Sequence, residues 1–260
     1  MEISDTQLIS WIGNFFWPFM RVAMMMTVAP IFGSRLMPVR ARIVSAIVIT
    51  WLLLPIIPDV PTVNPLSPEG VLIVVQQLLI GMMMGFVLQM LFASLVVGGQ
   101  TVALSMGLGF ASMVDPQNGV QVPVVSQIYL VVATLLFLTL NGHLMLISML
   151  ADSFSSLPIA SDGVSRQTLW DVVAWAGEMF AHGILIALPA VTALLLVNLA
   201  FGVITRSAPQ LNIFGVGFPL TLAMGFVIIL YTLPGMLPHF ERVMESAFSM
   251  IQRVIYPLGR

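Results

Sequence analysis

Cysteine and lysine are both absent from this 260-residue chain, and charge of either sign is scarce. Without cysteine there are no disulfides, no thiolate chemistry and no thiol metal sites, and nothing follows about redox compartment. Without lysine the phosphate loop G-x-x-x-x-G-K-[ST] cannot be written, and Gly107-Leu108-Gly109 lacks the third glycine and the strand–helix setting of a dinucleotide site. The 9 basic residues, all arginine, stand against 11 acids for a net charge of −2, which excludes a basic surface for nucleic acid. Charged residues make up 8% of the chain, against about 25% in soluble proteins. Residues 70–114 and 116–151 contain no Asp, Glu, Lys or Arg. Runs of that length exceed the roughly 20 apolar residues that one membrane helix needs. With 59% hydrophobic residues and a mean hydropathy of +1.05, the composition specifies an all-α, polytopic membrane protein. The N-terminus carries Glu2 and Asp5 where a secretory signal would carry Lys or Arg, so the first apolar segment is expected to stay attached.

About six apolar helical segments follow, at 8–32, 43–57, 71–97, 124–150, 184–205 and 220–237, several of them interrupted by Pro or Gly. Arg21 lies inside the first, where a cation costs about 2.5–3.5 kcal/mol on insertion scales, so it should face protein or water. Arg35, Arg40 and Arg42 cluster without an acid and mark that connection as cytoplasmic, while the proline-rich, acidic stretch 59–70 belongs on the far side. The third segment holds Gly81 and Gly85, a GxxxG pair that admits another helix at close range. Gln76, Gln77, Gln89 and Gln100 suit interhelical hydrogen bonds more than a transport path. Trp170 and Trp175 read as interface anchors, and His143 as a polar cap. Residues 239–256 have helical apolar spacing and form a short amphipathic helix. Alternating six spans from an outside N-terminus agrees with the charge bias. The irregular lengths and the Pro/Gly marks nevertheless argue against a simple six-helix layout.

The central stretch 98–123, GGQTVALSMGLGFASMVDPQNGVQVP, suits neither a lipid-facing helix nor a watery loop. Its glycines lower helix propensity, its Leu, Met and Phe residues are greasy, and Asp115-Pro116 with Asn118-Gly119 is a double turn signal. Irregular backbone at membrane depth is tolerated where protein buries it or where it lines a cavity. Two readings therefore stand side by side, a re-entrant plug-like loop facing an internal passage and an ordinary interhelical connection.

No nucleophile–base pair, paired carboxylate site or metal cluster emerges, so neither an enzyme nor a cofactor is expected. Glu178 and His182 fall one helical turn apart and suit a local ion pair rather than zinc. Among the 19 methionines, the triplets 24–26 and 82–84 read as core filling. Met106 and Met113, with Phe110 between them, read as the lining of a space.

Ala29 to Arg42 (APIFGSRLMPVRAR), Gly107 to Gly119 (GLGFASMVDPQNG) and Arg206 to Leu220 (RSAPQLNIFGVGFPL) together resemble the FliR/SctT family of type III secretion export gates, its flagellar branch in particular. The likeness runs over essentially the whole chain. It implies one subunit, 1–260, built with several copies of FliP and FliQ into a helical, roughly conical hetero-oligomer at the flagellar basal body in the bacterial inner membrane. FlhB would wrap the cytoplasmic entrance, next to other export-apparatus components. Unfolded flagellar proteins would pass through, driven by proton-motive force and an ATPase elsewhere. Many apolar helices would then pack against protein rather than lipid, which would undo the six-span layout. The family's plug maps onto 106–122 and closes the pore with a methionine-rich constriction from a neighbouring subunit. Combined with the residue reading, Met106, Leu108, Phe110, Met113 and Val114 would form a soft seal. Gly107 and Gly109 would hinge it, and Asp115, Pro116 and Asn118 would anchor it. Arg206, Pro209, Gln210, Asn212, Phe214, Gly217, Phe218 and Pro219 would pack against a partner. A small-solute secondary transporter, or the homologous gate subunit of a virulence secretion system, is the alternative. A transporter would need an internal repeat and a midplane acid, and neither is evident.

Overall fold

The computed structural model describes residues 5–34, 37–58, 60–65, 67–109, 124–207 and 217–256, with side chains from 13 onward. The described residues are overwhelmingly helical and include no strand. In chain order the helices are α1 (Asp5–Val28), α2 (Val39–Leu53), α3 (Pro68–Ser105), α4 (Val124–Thr139), α5 (Gly142–Ser156), α6 (Arg166–Ala174), α7 (Ala176–Ser207), α8 (Phe218–Thr232) and α9 (Met236–Ile255). Short 3-10 turns follow α2 and α8. Four helical runs among the described residues are long and apolar enough to cross a membrane, or five if the broken pair α4–α5 counts as one span. The chain is thus the all-α membrane protein that its composition specifies, with spans of uneven length.

Two departures from the expected segments have local causes. The fourth run is split, because Asn141 sits at φ 56, a left-handed conformation that an α-helix cannot carry through. The third run does not stop at 97. α3 continues to Ser105, and its 38 residues measure about 57 Å end to end, well beyond a hydrocarbon layer. Pro18 and Pro189 lie inside α1 and α7 without ending either helix.

The chain forms two compact units, Met1–Met90 with Leu140–Ala176 and Glu245–Arg260, and Leu91–Thr139 with Gly177–Met244. In the first, α2 packs on α1, and α3 presses Gly81 and Gly85 onto the α1 backbone. A Cβ on Gly81 would collide with the Arg21 carbonyl oxygen, and one on Gly85 would stand 2.9 Å from that of Met25. This is the close approach that small residues permit where burial of apolar surface drives little between helices. Met25, Met26, Met83 and Met84 are buried, as core filling requires.

The same unit buries Arg21 completely. Its Nε–H donates to Gln77 Oε1 (2.8 Å), Nη1 to the Ser153 carbonyl (2.7 Å) and Oγ (3.0 Å), and Nη2 to the Leu157 carbonyl (2.8 Å). The guanidinium also lies 4.4 Å from the Phe154 ring centre, a cation–π contact. All four hydrogen bonds go to neutral acceptors, so the planar fork staples α1 to α3 and to the end of α5. Gln76 Oε1 likewise accepts from Val164 N–H (3.1 Å). Gln77 thus makes the interhelical bond expected of these amides, Gln76 instead holds the connection before α6, and Gln89 and Gln100 are exposed. Trp170 is exposed as an anchor would be, but Trp175 is buried at the end of α6.

In the second unit Phe92 meets Phe137 and Phe240 edge-on, with ring centres 5.6 and 6.5 Å apart. Gly98 of α3 faces Gly183 and Ile186 of α7, and Gly99 faces Ser126 of α4. The residues of α9 that recur at helical spacing are buried, Phe240, Val243 and Met244 in this unit and Phe248, Ile251 and Ile255 in the first. Its apolar stripe is therefore covered by the chain itself.

Candidate functional site

The central loop springs from the end of α3, and the described residues there make a closed account of hydrogen bonds. Met106 N–H donates to the Val102 carbonyl, Gly107 N–H to Leu104 and Leu108 N–H to Ala103, each at 3.0 Å. Gly107 has φ +83. This is a Schellman motif with glycine at its left-handed position, the 6→1 bond running from Leu108 to Ala103 and the 5→2 bond from Gly107 to Leu104. The next carbonyl, Ser105, accepts from Asn198 Nδ2 of α7 at 3.3 Å. Four successive carbonyls at the helix end are thus satisfied, where they would otherwise be orphaned.

Packing fixes the same root. Met106 is fully buried, and a Cβ added to Gly225 of α8 would meet its Cε, Cγ and Sδ at 2.5–2.9 Å. A Cβ on Gly107 would stand 3.2 Å from Cε2 of Phe218. Phe218 opens α8, with Pro219 in the first turn where its missing N–H costs nothing, and Thr221 Oγ1 bonds back to the Gly217 carbonyl at 2.9 Å. Two sets of residues singled out separately in the sequence, the beginning of the 106–122 loop and the end of the 206–220 motif, meet here on one patch of the second unit.

Leu108 and Gly109 are half-buried beyond that root. Phe110, Met113, Val114, Asp115, Pro116 and Asn118 lie outside the described residues, as do Pro209, Gln210, Asn212, Phe214 and Arg35. Arg206 is exposed in the last turn of α7, where a cation complements the helix dipole. Gly217 and Phe218 are half-buried and Pro219 is exposed. Arg40 is exposed, whereas Arg42 does structural work, donating to the carbonyls of Phe32 (3.0 Å) and Ser34 (3.2 Å) across the α1–α2 connection.

Asn198 and Gly225 escaped the sequence reading. Asn198 is the one amide in the apolar run 184–205, a signal that could have marked it. Gly225 is one more glycine in an apolar helix and had none. Glu178 and His182 form the expected i,i+4 contact at 3.6 Å, and the described residues include no group of three His, Cys, Asp or Glu fit to hold a metal. The described start of the segment, Met106 to Gly109, is apolar and firmly rooted.

The family described as bacterial export proteins, family 1, matches residues 12–247. The flagellar biosynthetic protein FliR of Escherichia coli (strain K12) is 38% identical over 99% of this chain and 98% of its own length. That of Pectobacterium carotovorum subsp. carotovorum is 38% identical over 100% and 99%. That of Buchnera aphidicola subsp. Acyrthosiphon pisum (strain APS) is 35% identical over 95% of each. The chain belongs to the bacterial export proteins, family 1, the family of the flagellar biosynthetic protein FliR.

Proposed function

We propose that the chain, working as one subunit over residues 1–260, is the FliR-type component of the flagellar type III export gate, and that residues 106–122 plug its closed pore. It is an export-apparatus component of the bacterial inner membrane and not an enzyme. The observation that carries the plug reading is the end of α3. A stopper in a conduit must hang from a base that does not yield, and the satisfied carbonyls at Val102–Ser105 and the clamped Met106 supply such a base. Met106 then roots the seal, Leu108, Phe110, Met113 and Val114 fill it, and Asp115, Pro116 and Asn118 turn the chain back. Gly107 and Gly109 let it swing.

FliP and FliQ are the gate partners, with FlhB at the cytoplasmic entrance and unfolded flagellar proteins as cargo. The flagellar names of the full-length relatives support that cargo over virulence proteins. Outward-facing apolar surface on α7, with Leu195, Leu196, Leu199 and Val203 each more than 60% exposed, supports helix neighbours along that face. Arg206 lies at its end; in this reading Arg206 and the residues singled out in 209–219 pack against the same neighbours, and the 35–42 connection faces the cytoplasm. The test is deletion of 107–118 in the assembled gate. Assembly with FliP and FliQ should persist while ion leakage across the membrane rises. An unchanged leak would remove the plug, and failure of the intact chain to co-purify with those partners would remove the gate.

A further inference from the structure

A groove of about 420 Å³ opens in the second unit where α8 gives way to α9, with walls from α4, α7, α8 and the first turns of α9. Its lining divides by chemistry. Leu185, Ile186 and Pro189 of α7 form an apolar wall, while Tyr231, His239 and Arg242 bring polar groups to the other side. The polar side is pre-arranged. His239 Nε2 lies 3.3 Å from the His182 carbonyl, an acceptor only, so Nε2 carries the proton and Nδ1 is left to accept. Arg242 Nη2 donates to that Nδ1 at 3.4 Å, and its Nε donates to the Pro238 carbonyl at 3.2 Å. The guanidinium is thereby aimed by two neutral groups on its own helix. It makes no ion pair among the described residues and is exposed at the groove.

The position of the groove along the chain supplies the second argument. Residues 218–240 carry no Asp, Glu, Lys or Arg, and Glu241 and Arg242 are the first formal charges after that apolar run. The 3-10 turn Leu233–Gly235 marks the change, and Tyr231 beside it is 82% exposed. A tyrosine and an arginine at the boundary between a charge-free helix and a charged one are the residue types that suit the level of lipid headgroups.

We propose that this groove binds an anionic phospholipid, with its phosphodiester on Arg242 beside Tyr231 and the first carbons of an acyl chain along Leu185, Ile186 and Pro189. The volume falls in the range of small-ligand sites and suits a headgroup with the start of its chains. Free phosphate would use the same cation but would leave the apolar wall unused. The groove is independent of the plug, so this proposal stands or falls apart from the gate reading.

The test uses the full chain, purified with its complex and exchanged into nanodiscs of phosphatidylcholine with or without phosphatidylglycerol. Lipid retained after release is counted by native mass spectrometry. The wild-type chain should keep phosphatidylglycerol in preference to phosphatidylcholine. Arg242→Gln should weaken that preference about five-fold, Arg242→Lys should largely preserve it, and Arg166→Gln, at an exposed arginine of the first unit, should leave it unchanged. Leu185→Asn should lower retention of phosphatidylglycerol although the cation remains. Arg242 is exposed, so these variants leave the fold intact. Equal retention by wild type and Arg242→Gln would overturn the proposal. So would displacement of the lipid by an equal concentration of inorganic phosphate, which would reduce the groove to a simple anion site.

Discussion

The contact between Met106 and Gly225 is tested by a pair of substitutions whose effects should change sign. A methyl group on Gly225 would fall 2.5 Å from Met106 Cε, 2.7 Å from Cγ and 2.9 Å from Sδ. Three atoms of one side chain cannot be relieved by moving its tip, and Met106 is 0% exposed, so there is no open space for another rotamer. Overpacking of this kind costs about 1–3 kcal/mol. Alanine inside α8 returns up to about 1 kcal/mol of helix propensity, so Gly225→Ala alone should destabilise by up to about 2 kcal/mol. Met106→Ala alone opens a cavity and should cost about 2–5 kcal/mol. With Met106 already cut back, the methyl group introduced by Gly225→Ala enters that cavity without a clash. The same substitution should then stabilise by up to about 1 kcal/mol, a coupling between the two sites on the order of 1–3 kcal/mol. The assay is the unfolding midpoint of the four proteins in one detergent, read by near-UV circular dichroism or intrinsic fluorescence. If Gly225→Ala costs the same with Met106 present or absent, the two residues do not share this space and the account of the loop's root is wrong.

Four further outcomes follow from the structure. Gly107→Ala should lower stability by about 1–2 kcal/mol through the left-handed backbone, and Gly107→Asn by less, because asparagine visits that region more readily; thermal melts of the two variants check the order. Gly81→Ala sets a methyl against the Arg21 carbonyl, which no side-chain rotation relieves, and should sharply reduce accumulation of the folded chain. Gly202→Ala, with nothing within 4 Å, should be neutral or mildly stabilising by up to about 1 kcal/mol, as parallel expression and melting would show. Arg21→Lys keeps the charge but loses the fork that reaches Gln77, Ser153 and Leu157 together, and should cost about 2 kcal/mol or more in unfolding free energy, read from denaturant melts.

That another helix would press on Gly81 and Gly85 was legible because they stand four apart and so share one helix face, but nothing in the pair said that it would be α1. That Arg21 would be buried against protein was legible too, from the cost of a lone cation in an apolar run. Its acceptors were less so, since two of them are backbone carbonyls more than 130 residues away, at Ser153 and Leu157, and any residue type supplies a carbonyl. The membrane class came from composition and needed no periodicity. The split at Asn141 had only a short polar signal, Asn-Gly-His, inside a run that otherwise read as continuous.

The beginning of the central loop shows why glycine is hard to interpret in an apolar chain. Gly98, Gly99 and Gly107 all looked like weak points in a helix, which placed the loop's start at 98. Gly98 and Gly99 are instead where α7 and α4 come against α3, through Gly183 and Ser126, and the helix runs straight past them. Being adjacent, they face different neighbours and leave no i, i+4 mark. Gly107 alone of the described glycines takes a positive φ, and there the helix ends. The difference is tertiary. Where a neighbouring backbone fills the space that a Cβ would occupy, helical hydrogen bonds continue and the entropic cost of glycine is offset by packing. At Gly107 the nearest atoms are the edge of one aromatic ring, and the free carbonyls of Ala103 and Leu104 are better satisfied by turning left than by another turn of helix. The same residue type therefore lets α3 reach the loop and then sets where the loop departs.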